Sequence, residues 1–357
     1  MLKINILLPC SGQHPVGGFK VIYEYANALV QRGNSVTVIH PMILDAAEIH
    51  DYQRLRIKAR YYKQGFTRQH RPDPWFRLHQ KVRTLWVPFL DQKYIPDADI
   101  VVASAWQTAE WASTYPEEKG RKFYLIQHLE TWSGAHERVT ATWTLQFHKI
   151  VIANWLLEFA ASLGEASTYI PNGLDFGAFS MSNPPADRDP ATVIMLYHDA
   201  DWKGSQDGLQ ALRLVRKRVP QLRAILFGVP DAPPGLEDWI SYYRLPEQAL
   251  LCELYNQSAI CLATSWTEGW GLVPCEAMMC GAATVMTDID GHREFGIHEK
   301  TTLFAPAKAP ERLAENVVQL IHENGLRLKI ARQGHEHVQQ FTWNRAVDAF
   351  EHILQAT

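Results

Sequence analysis

Hydrophobic positions in the first half of the chain follow a strand–helix–strand rhythm. Residues 3–8 form a short apolar run that predicts a buried strand. Residues 19–31 repeat apolar positions at helical spacing up to Gly33, a typical helix stop, and residues 35–40 predict a second strand. Similar short runs, each followed by a helical stretch, lie at residues 100–104, 123–127 and 149–153. The alternation predicts a parallel sheet covered by helices.

The same rhythm begins again after a polar, proline-rich break at residues 180–190. Strands are predicted at residues 192–197, 223–227, 259–263 and 284–287, with helices at residues 205–218 and from Pro310 onward. A chain of 357 residues also exceeds the usual size of one hydrophobic core. We therefore predict an α/β protein of two doubly wound domains, residues 1–182 and 190–340. Its ligand site is expected in the cleft at the carboxyl ends of both sheets.

Composition and charge narrow the class of protein. Apolar residues make up 46% and charged residues 20% of the chain, which is typical of a globular protein. The net charge of −3 predicts no general attraction to nucleic acid. No apolar run approaches the roughly 18 residues of a membrane-spanning helix, and the apolar start is too short for a signal peptide. The five cysteines form no CxxC pair, so reduced thiols in a cytoplasmic protein are expected.

One stretch departs from this charge balance. This basic segment comprises residues 54–83, from Arg54 to Arg83. They contain ten Lys/Arg and a single acid, Asp73, with five Tyr, Phe and Trp residues interleaved. A solvated helix pair would show this pattern. A surface that meets anionic lipid head groups or a phosphate-bearing acceptor would show it too, whereas nucleic acid is the least expected partner.

A glycine-rich turn between two glutamates is the strongest chemical pattern. In "SWTEGWGLVPCEAMMCG", Glu268 precedes the turn and Glu276 follows it. Gly269 and Gly271 would let the backbone approach a ligand, and Pro274 is suited to the first position of the next helix. The free amides of that helix start suit a diphosphate.

The two acids then have separate expected tasks. Glu276 would repel a phosphate and is expected to turn toward neutral hydroxyls, whereas Glu268 would accept hydrogen bonds from the group attached to the phosphate. The block therefore predicts a nucleotide diphosphate-sugar site. An ordinary strand–turn–helix, with Glu268 solvated and Glu276 as a cap, is the alternative.

The block resembles the Glu-x7-Glu signature of the retaining family 4 glycosyltransferases, with Trp270 where that family usually carries Phe. Four other stretches resemble the family in the same order: "PVGGFKVIYEYANALVQRGNSVTV", "YIPNGLDFGAF", "WKGSQDGLQAL" and "FTWNRAVDAFEHIL". The resemblance covers almost the whole chain. It implies the GT-B architecture, two Rossmann-like domains with the donor held mainly by the C-terminal one. It also implies that a last helix, residues 341–357, crosses back to pack near residues 1–20.

The resemblance implies roles for single residues. Lys203 in "DWKG" matches the family lysine that meets the donor diphosphate. His198 stands where the family has an arginine. Donor affinity is therefore expected to weaken between about pH 6 and 8, where a histidine of unperturbed pKa loses its charge. His128 in "YLIQHLETW" matches the family histidine that faces the transferred sugar, although a histidine after a strand is often a satisfied core residue. Glu130 and Trp132 are expected to line the acceptor pocket.

The remaining expected contacts are glycines and turn residues. Gly17 and Gly18 stand where the family brings backbone amides close to the diphosphate and the sugar. The donor-binding set is completed by Gly269, Trp270, Gly271 and Leu272, together with Glu268 and Glu276. In "GHREF", Glu294 keeps the family's acidic place.

Two Asp-x-Asp patterns, Asp199/Asp201 and Asp288/Asp290, invite a metal interpretation because sugar transferases of another fold hold a cation in this way. In the architecture that the resemblance implies, Lys203 and helix amides neutralise the phosphates. No metal is therefore expected, and no cofactor beyond a UDP-sugar as co-substrate.

The predicted function is transfer of a sugar from a nucleotide donor to a hydroxyl of a lipid-linked or polysaccharide glycan, with retention of anomeric configuration. Glu268, Lys203 and His128 are the expected catalytic residues. Since no carboxylate is placed as a covalent nucleophile, departure and attack on the same face are favoured. A nucleotide-sugar 2-epimerase and a silent nucleotide-sugar-binding protein stay as alternatives. Expected partners are the donor, the acceptor and the inner face of an anionic membrane through the basic segment, with no nucleic acid.

Overall fold

The computed structural model describes residues 1–44, 51–67, 70–73 and 75–356, with the backbone alone for residues 51–58. The chain divides into two compact units. Unit 1 comprises Met1–Asn172 and Trp343–Thr357, and unit 2 comprises Gly173–Thr342. In the described residues, each unit holds one parallel sheet, of seven strands in unit 1 and six in unit 2, and helices connect most of the successive strands. The α/β prediction is confirmed.

The described residues of unit 1 form seven strands and five α-helices before the boundary. The strands are β1 (Lys3–Leu7), β2 (Ser35–Pro41), β3 (Arg83–Val87), β4 (Ile100–Ala103), β5 (Arg121–Ile126), β6 (His148–Val151) and β7 (Ser167–Tyr169). The helices are α1 (Gly17–Gln31), α2 (Asp51–Phe66), α3 (Trp106–Ser113), α4 (His136–Trp143) and α5 (Asn154–Ser162). The strand order is β3-β2-β1-β4-β5-β6-β7. Because the order reverses between β1 and β4, the loops that follow these two strands diverge.

Unit 2 repeats this plan. Its strands are β8 (Thr192–Leu196), β9 (Arg223–Gly228), β10 (Ile240–Arg244), β11 (Ile260–Ala263), β12 (Ala283–Thr287) and β13 (Leu303–Ala305). Its helices are α6 (Ser205–Arg218), α7 (Gln248–Gln257), α8 (Leu272–Met279), α9 (Asp290–Arg293), α10 (Pro310–His322) and α11 (Asn324–Val338). The order β10-β9-β8-β11-β12-β13 reverses between β8 and β11. The core lies where the apolar faces of α6 and α10 meet the sheet.

The last helix, α12 (Trp343–Ala356), belongs to unit 1. The ring of Phe350 lies 4.4 Å from that of Tyr25, and the Arg32 guanidinium donates to Glu351 at 3.0 Å. The helix therefore packs on α1 and the turn after it. The expectation of packing near residues 1–20 was wrong in position, because the aromatic partner on α1 is Tyr25.

The polar segment at residues 180–190 is largely exposed, but it lies within unit 2 and does not link the units. Arg188 is 4% exposed, and its guanidinium donates to the carbonyl oxygens of Tyr255 (3.2 Å), Ser258 (2.9 Å) and Cys280. These contacts tie the segment to α7 and α8. The boundary consequently lies at Asn172–Gly173 rather than in residues 180–190.

The basic segment contributes much of its aromatic content to the core of unit 1. Trp75 and Phe76 lie 5.8 and 5.4 Å from the ring of Tyr23, and Tyr61 stacks on Trp86 at 6.3 Å. Other parts of the basic segment, namely the side chains of residues 54–58 and the whole of residues 68, 69 and 74, lie outside the described residues. In the described part of the chain, no helix is both long and apolar enough to cross a membrane.

Candidate functional site

Two loops of unit 2 leave adjacent strands at the point where the strand order reverses. One follows β8 and carries His198 and Lys203, and the other follows β11 and carries Glu268 and Gly271. A crevice at this position is where doubly wound sheets bind ligands. The topology therefore brings together predicted residues that are far apart in sequence.

Lys203 and Glu268 form an ion pair across these loops. Lys203 Nζ donates to Glu268 Oε1 at 2.6 Å, and Ser265 Oγ donates to the same oxygen at 2.8 Å. The side chains are 23% and 19% exposed. Burial alone would raise the pKa of Glu268, but the charge and hydrogen bond of Lys203, with help from Ser265, bring that pKa below its ordinary value. Glu268 is thus ionised at neutral pH.

The backbones of the two loops are also joined. Thr264 Oγ1 donates to the Lys203 carbonyl at 3.0 Å, and the amide of Trp266 donates to the Trp202 carbonyl at 2.6 Å. Gly204 has φ of +62°, and a Cβ there would come within 2.1 Å of the Thr264 carbonyl oxygen. Only glycine allows this approach, so Gly204 sets how closely Lys203 meets Glu268.

The glycine-rich turn opens directly into α8. Gly271 has φ of +114°, and a Cβ there would lie 2.9 Å from the ring of His292, so the position requires glycine. Helix α8 begins at Leu272, with Gly269 buried in the turn before it. The expectation that Pro274 opens the helix was wrong by two residues. The N-cap residue of α8 is Gly271, which has no side chain to cap the first amides of the helix.

Two residues of the predicted donor set point into the protein. Glu276 is 9% exposed, and its Oε2 accepts a hydrogen bond from the Tyr255 hydroxyl at 3.2 Å. Trp270 is 2% exposed, with its ring 6.0 Å from Phe295 and 5.2 Å from Phe341. The indole of Trp270 is therefore a core group that supports the turn.

His198 is held in a defined tautomer. Its Nδ1 accepts the amide proton of Ala200 at 2.9 Å, so the neutral ring carries its proton on Nε2. The amide of His198 donates to Ser205 Oγ at 2.9 Å, and that hydroxyl donates back to the His198 carbonyl. Burial, reinforced by the charge of Lys203, lowers the pKa of His198. The ring of His198 in the free protein therefore loses its charge at a lower pH than the expected range of about pH 6 to 8.

Sequence reasoning missed the residues that support Glu268. Thr287 Oγ1 donates to the Ser265 carbonyl at 2.5 Å, and His292 Nδ1 donates to the Thr287 carbonyl at 2.8 Å. A Cβ on Gly291 would lie 2.3 Å from the Glu268 carbonyl oxygen. The only sequence signal was "GHREF", whose glycine and histidine have these roles.

The two carboxylates of the second Asp-x-Asp pattern, Asp288 and Asp290, form ion pairs with Arg293. Arg293 Nε and Nη2 donate to the two oxygens of Asp288 at 2.7 and 2.9 Å, and Arg293 also approaches Asp290 at 3.5 Å. Glu294 is half-buried at the end of α9. No group of three or more His, Cys, Asp or Glu side chains suited to a metal ion is found among the described residues.

In unit 1, the predicted glycines lie beside the loop that carries His128. Helix α1 begins at Gly17, and Gln127 Nε2 donates to the Gly18 carbonyl at 3.1 Å. A Cβ on Gly18 would lie 3.3 Å from the Gln127 amide, which favours glycine at this position. The start of α1 and the loop after β5 are therefore in contact.

The ring of His128 is held by the backbone amides of the residues that follow it. Nδ1 accepts the amide proton of Leu129 at 2.8 Å and lies 3.4 Å from the amide nitrogen of Glu130, so the neutral ring carries its proton on Nε2. Its ring meets those of Trp132 and Trp155 edge-on, at 4.5 and 5.4 Å. His128 is thus oriented as a hydrogen-bond donor through Nε2.

Comparisons with known proteins point to glycosyltransferases. The sequence model of the family described as "Glycosyl transferases group 1" matches residues 192–323, which include Lys203 and the glutamate block. A phosphatidyl-myo-inositol mannosyltransferase of Mycobacterium tuberculosis is 23% identical over 96% of this chain and 94% of its own. A D-inositol 3-phosphate glycosyltransferase of Segniliparus rotundus is 22% identical over 56% of this chain and 49% of its own.

Solved structures with the same fold cover the whole chain. Anabaena Alr3699/HepE in complex with UDP-glucose has a TM-score of 0.76 at 16% identity, with full coverage of both chains. Sucrose-phosphate synthase from Thermosynechococcus elongatus has a TM-score of 0.71 at 15% identity, also with full coverage. The chain therefore has the GT-B fold, as the resemblance implied, and the group 1 family assignment is supported for residues 192–323.

Proposed function

We propose that this protein transfers a sugar from a nucleoside diphosphate donor, a UDP-sugar, to a hydroxyl of a glycan or lipid-linked acceptor, with retention of anomeric configuration. Glycosyltransferase activity with nucleotide sugars is supported by the family match, by the mannosyltransferase relatives and by the UDP-glucose complex of a fold neighbour. The observation that carries the proposal is the Lys203–Glu268 pair, close to the start of α8, where Gly271 provides no side-chain cap.

Lys203 is suited to the leaving diphosphate. Its ammonium has three donors, of which the Glu268 carboxylate uses one, and the Lys203 side chain is 23% exposed. The other donors can meet phosphate oxygens while Glu268 holds the side chain in place. A fixed cation of this kind stabilises charge that develops on a departing phosphate, together with the α8 amides.

Glu268 is suited to sugar hydroxyls. Because Lys203 and Ser265 both donate to Oε1, the second carboxylate oxygen is left to accept from the donor sugar. His198 and His128 can each donate from Nε2 to an oxygen of the ligand, since Nδ1 is engaged in both. The ion pair makes Glu268 an anchor, because an attacking carboxylate would have to leave its lysine.

The proposed reaction needs no covalent enzyme intermediate. The bond between the anomeric carbon and the phosphate oxygen breaks, and its electrons leave with the diphosphate. The acceptor oxygen forms its bond on the same face, and its proton passes to a leaving phosphate oxygen. Retention follows because departure and attack share one face.

The test measures transfer and hydrolysis of UDP-sugars by the full chain. Lys203→Met and Glu268→Gln are expected to lower kcat/KM about 10²–10³-fold, as loss of a transition-state donor does elsewhere. Lys217→Met and Glu253→Gln, two exposed residues on α6 and α7, serve as matched controls. Proton NMR of the fresh product reports its anomeric configuration and any epimerised donor. Full activity of both site variants, an inverted product or an epimerised sugar would contradict the proposal.

We also propose peripheral contact with an anionic membrane through the basic segment. On α2, Tyr62 and Phe66 are 71% and 92% exposed, with the exposed Lys63 between them. An apolar tip beside cations is suited to the lipid head-group region. The double variant Tyr62→Ser/Phe66→Ser should bind phosphatidylglycerol vesicles less than wild type in sedimentation, whereas Tyr94→Ser should not. Equal sedimentation of the double variant would reject this contact.

A further inference from the structure

The loop after β5 is fastened to the start of α3 by Trp106. The Trp106 amide donates to Glu130 Oε2 at 3.0 Å, and its indole Nε1 donates to Ser133 Oγ at 2.9 Å. Ser133 Oγ in turn donates to the Glu130 carbonyl at 3.0 Å. A Cβ on Gly134 would lie 2.5 Å from the Trp106 ring. The side chains of residues 130–133 therefore project from a rigid support.

Two features of Glu130, its backbone conformation and its buried carboxyl, are unfavourable for the stability of the fold. Its φ is +57°, a left-handed conformation that residues with a Cβ adopt with strain. Burial raises the pKa of its carboxyl to about 7, against the opposing effect of the hydrogen bond from the Trp106 amide. In the described part of the chain no cation pairs with this carboxyl, and no hydrogen bond reaches Oε1. A glutamine could cap α3 equally well, so capping alone does not explain an acid here.

Trp132 places an apolar ring in solvent beside that acid. All twelve tryptophans lie in the described part of the chain, and Trp132 alone among them is exposed, at 46%. Its ring is held edge-on to His128 at 4.5 Å. An indole held in place while nearly half exposed is an available binding platform.

We propose that Glu130 and Trp132 form a subsite in unit 1 for a six-membered polyol ring, either a pyranose or a cyclitol, of the acceptor. The C–H face of such a ring carries positive partial charge and suits the negative face of an indole. Its hydroxyls are donors that suit a carboxylate oxygen. The inference rests on the proposed function, because it names the chemical class of that reaction's acceptor.

Saturation-transfer NMR on the full chain tests this subsite with three probes: methyl α-glucopyranoside, methyl α-mannopyranoside and myo-inositol. Ring C–H protons of at least one probe should receive saturation from the wild type. Trp132→Ala should abolish the signal and Trp132→Phe should retain it, since phenylalanine keeps an aromatic face. Tyr94→Ala, which removes another exposed aromatic ring of unit 1, should leave it unchanged. The probes distinguish a pyranose from a cyclitol.

The variant Glu130→Gln tests the charge of the carboxylate separately from its role as a hydrogen-bond acceptor at the start of α3. The amide keeps an acceptor for the Trp106 amide, so the melting temperature should change little, whereas probe affinity should fall about tenfold, as for a lost charge-assisted hydrogen bond. Wild-type affinity should rise from pH 6 to 8 as the carboxyl ionises, and the variant profile should be flat. Saturation that survives Trp132→Ala, no binding of any probe, or wild-type affinity in Glu130→Gln would each overturn the subsite. UDP-sugar hydrolysis, followed in parallel, reports separately on the proposed function.

Discussion

At the scale of single residues, two glutamates show how a neighbour decides the charge of a buried acid. Glu268 has Lys203 at 2.6 Å, and its pKa lies below the ordinary value despite burial. Among the described residues, the carboxylate of Glu130 accepts only from a backbone amide, and burial raises its pKa to about 7. The first carboxyl is therefore permanently ionised at neutral pH, whereas the second changes charge there.

The pH dependence of donor binding should show the lowered pKa of His198. Burial lowers the pKa of His198 in the free protein, and we expect the neutral ring to donate from Nε2 to the bound donor. The apparent KM for the donor should then show no His198-dependent step between pH 6.5 and 8. His198→Ala should raise that KM by a factor of roughly 5–10 at every pH in the range, the effect of one neutral hydrogen bond. A wild-type step near pH 7 that disappears in the variant would contradict this prediction.

His40 should make unit 1 sensitive to acid. Its ring is fully buried, Nδ1 donates to the Cys10 carbonyl at 2.9 Å, and burial, with repulsion from His70, lowers its pKa to about 4. The unfolded chain takes up the proton below about pH 6.5 but the folded chain does not, so stability falls as the pH drops from 6.5 toward 4, by about 3 kcal/mol in total.

Urea unfolding at pH 7 and pH 4.5 measures this effect. His40→Gln keeps a donor for the Cys10 carbonyl but does not titrate, so its loss of stability between the two pH values should be smaller by about 2 kcal/mol. An equal loss in both proteins would assign the acid sensitivity to other groups.

At the scale of elements, α12 is held to unit 1 by an apolar stripe flanked by ion pairs. Ala346, Val347, Phe350 and Leu354 are buried along one face. The carboxylates of Asp348 and Glu351 accept from Arg32, at 2.5 and 3.0 Å. Buried aromatic area contributes far more stability than a surface ion pair, so the apolar stripe should dominate.

Substitutions in α12 can compare the two contributions. Phe350 is 1% exposed, and Phe350→Ala should lower the free energy of unfolding by about 3–5 kcal/mol because it leaves a cavity against Tyr25. Asp348 is 68% exposed, so Asp348→Ala should cost less than about 1 kcal/mol. Chemical denaturation of both variants measures the difference, and similar values would mean that the ion pairs hold the helix.

The strands that the sequence pattern missed have a common position. They are β3, β7, β10 and β13, the two outer strands of each sheet. Central strands are buried on both faces and read as continuous apolar runs, whereas outer strands such as β10, "ISYYR", mix polar and apolar residues. Pairing with a neighbour, rather than their own hydrophobicity, makes these segments strands.

At the scale of the whole molecule, the predicted site residues are divided between two units whose sheets share the same order over six strands. The Lys203–Glu268 pair, His198 and the start of α8 lie in unit 2, whereas Gly17, Gly18 and His128 lie in unit 1. Each unit has its own buried core. Ligand binding to one unit should therefore stabilise that unit selectively.

Calorimetry of the full chain tests this division. Two unfolding transitions are expected, and UDP at 100 times its dissociation constant should stabilise the unit it binds by about 2.7 kcal/mol. Lys203→Met should remove the shift of the transition of unit 2. A single unfolding transition, or a UDP shift of the same size in two transitions, would contradict this division.

The sequence by itself determined the α/β class, the central strands and the identity of the glutamate block, because each depends on local periodicity or on residues close together in the chain. Only the tertiary structure decided that Lys203 pairs with Glu268, that Trp270 turns into the core, and that residues 180–190 belong to unit 2. These outcomes depend on contacts between distant residues. The strand order creates such contacts, and a linear pattern does not contain it.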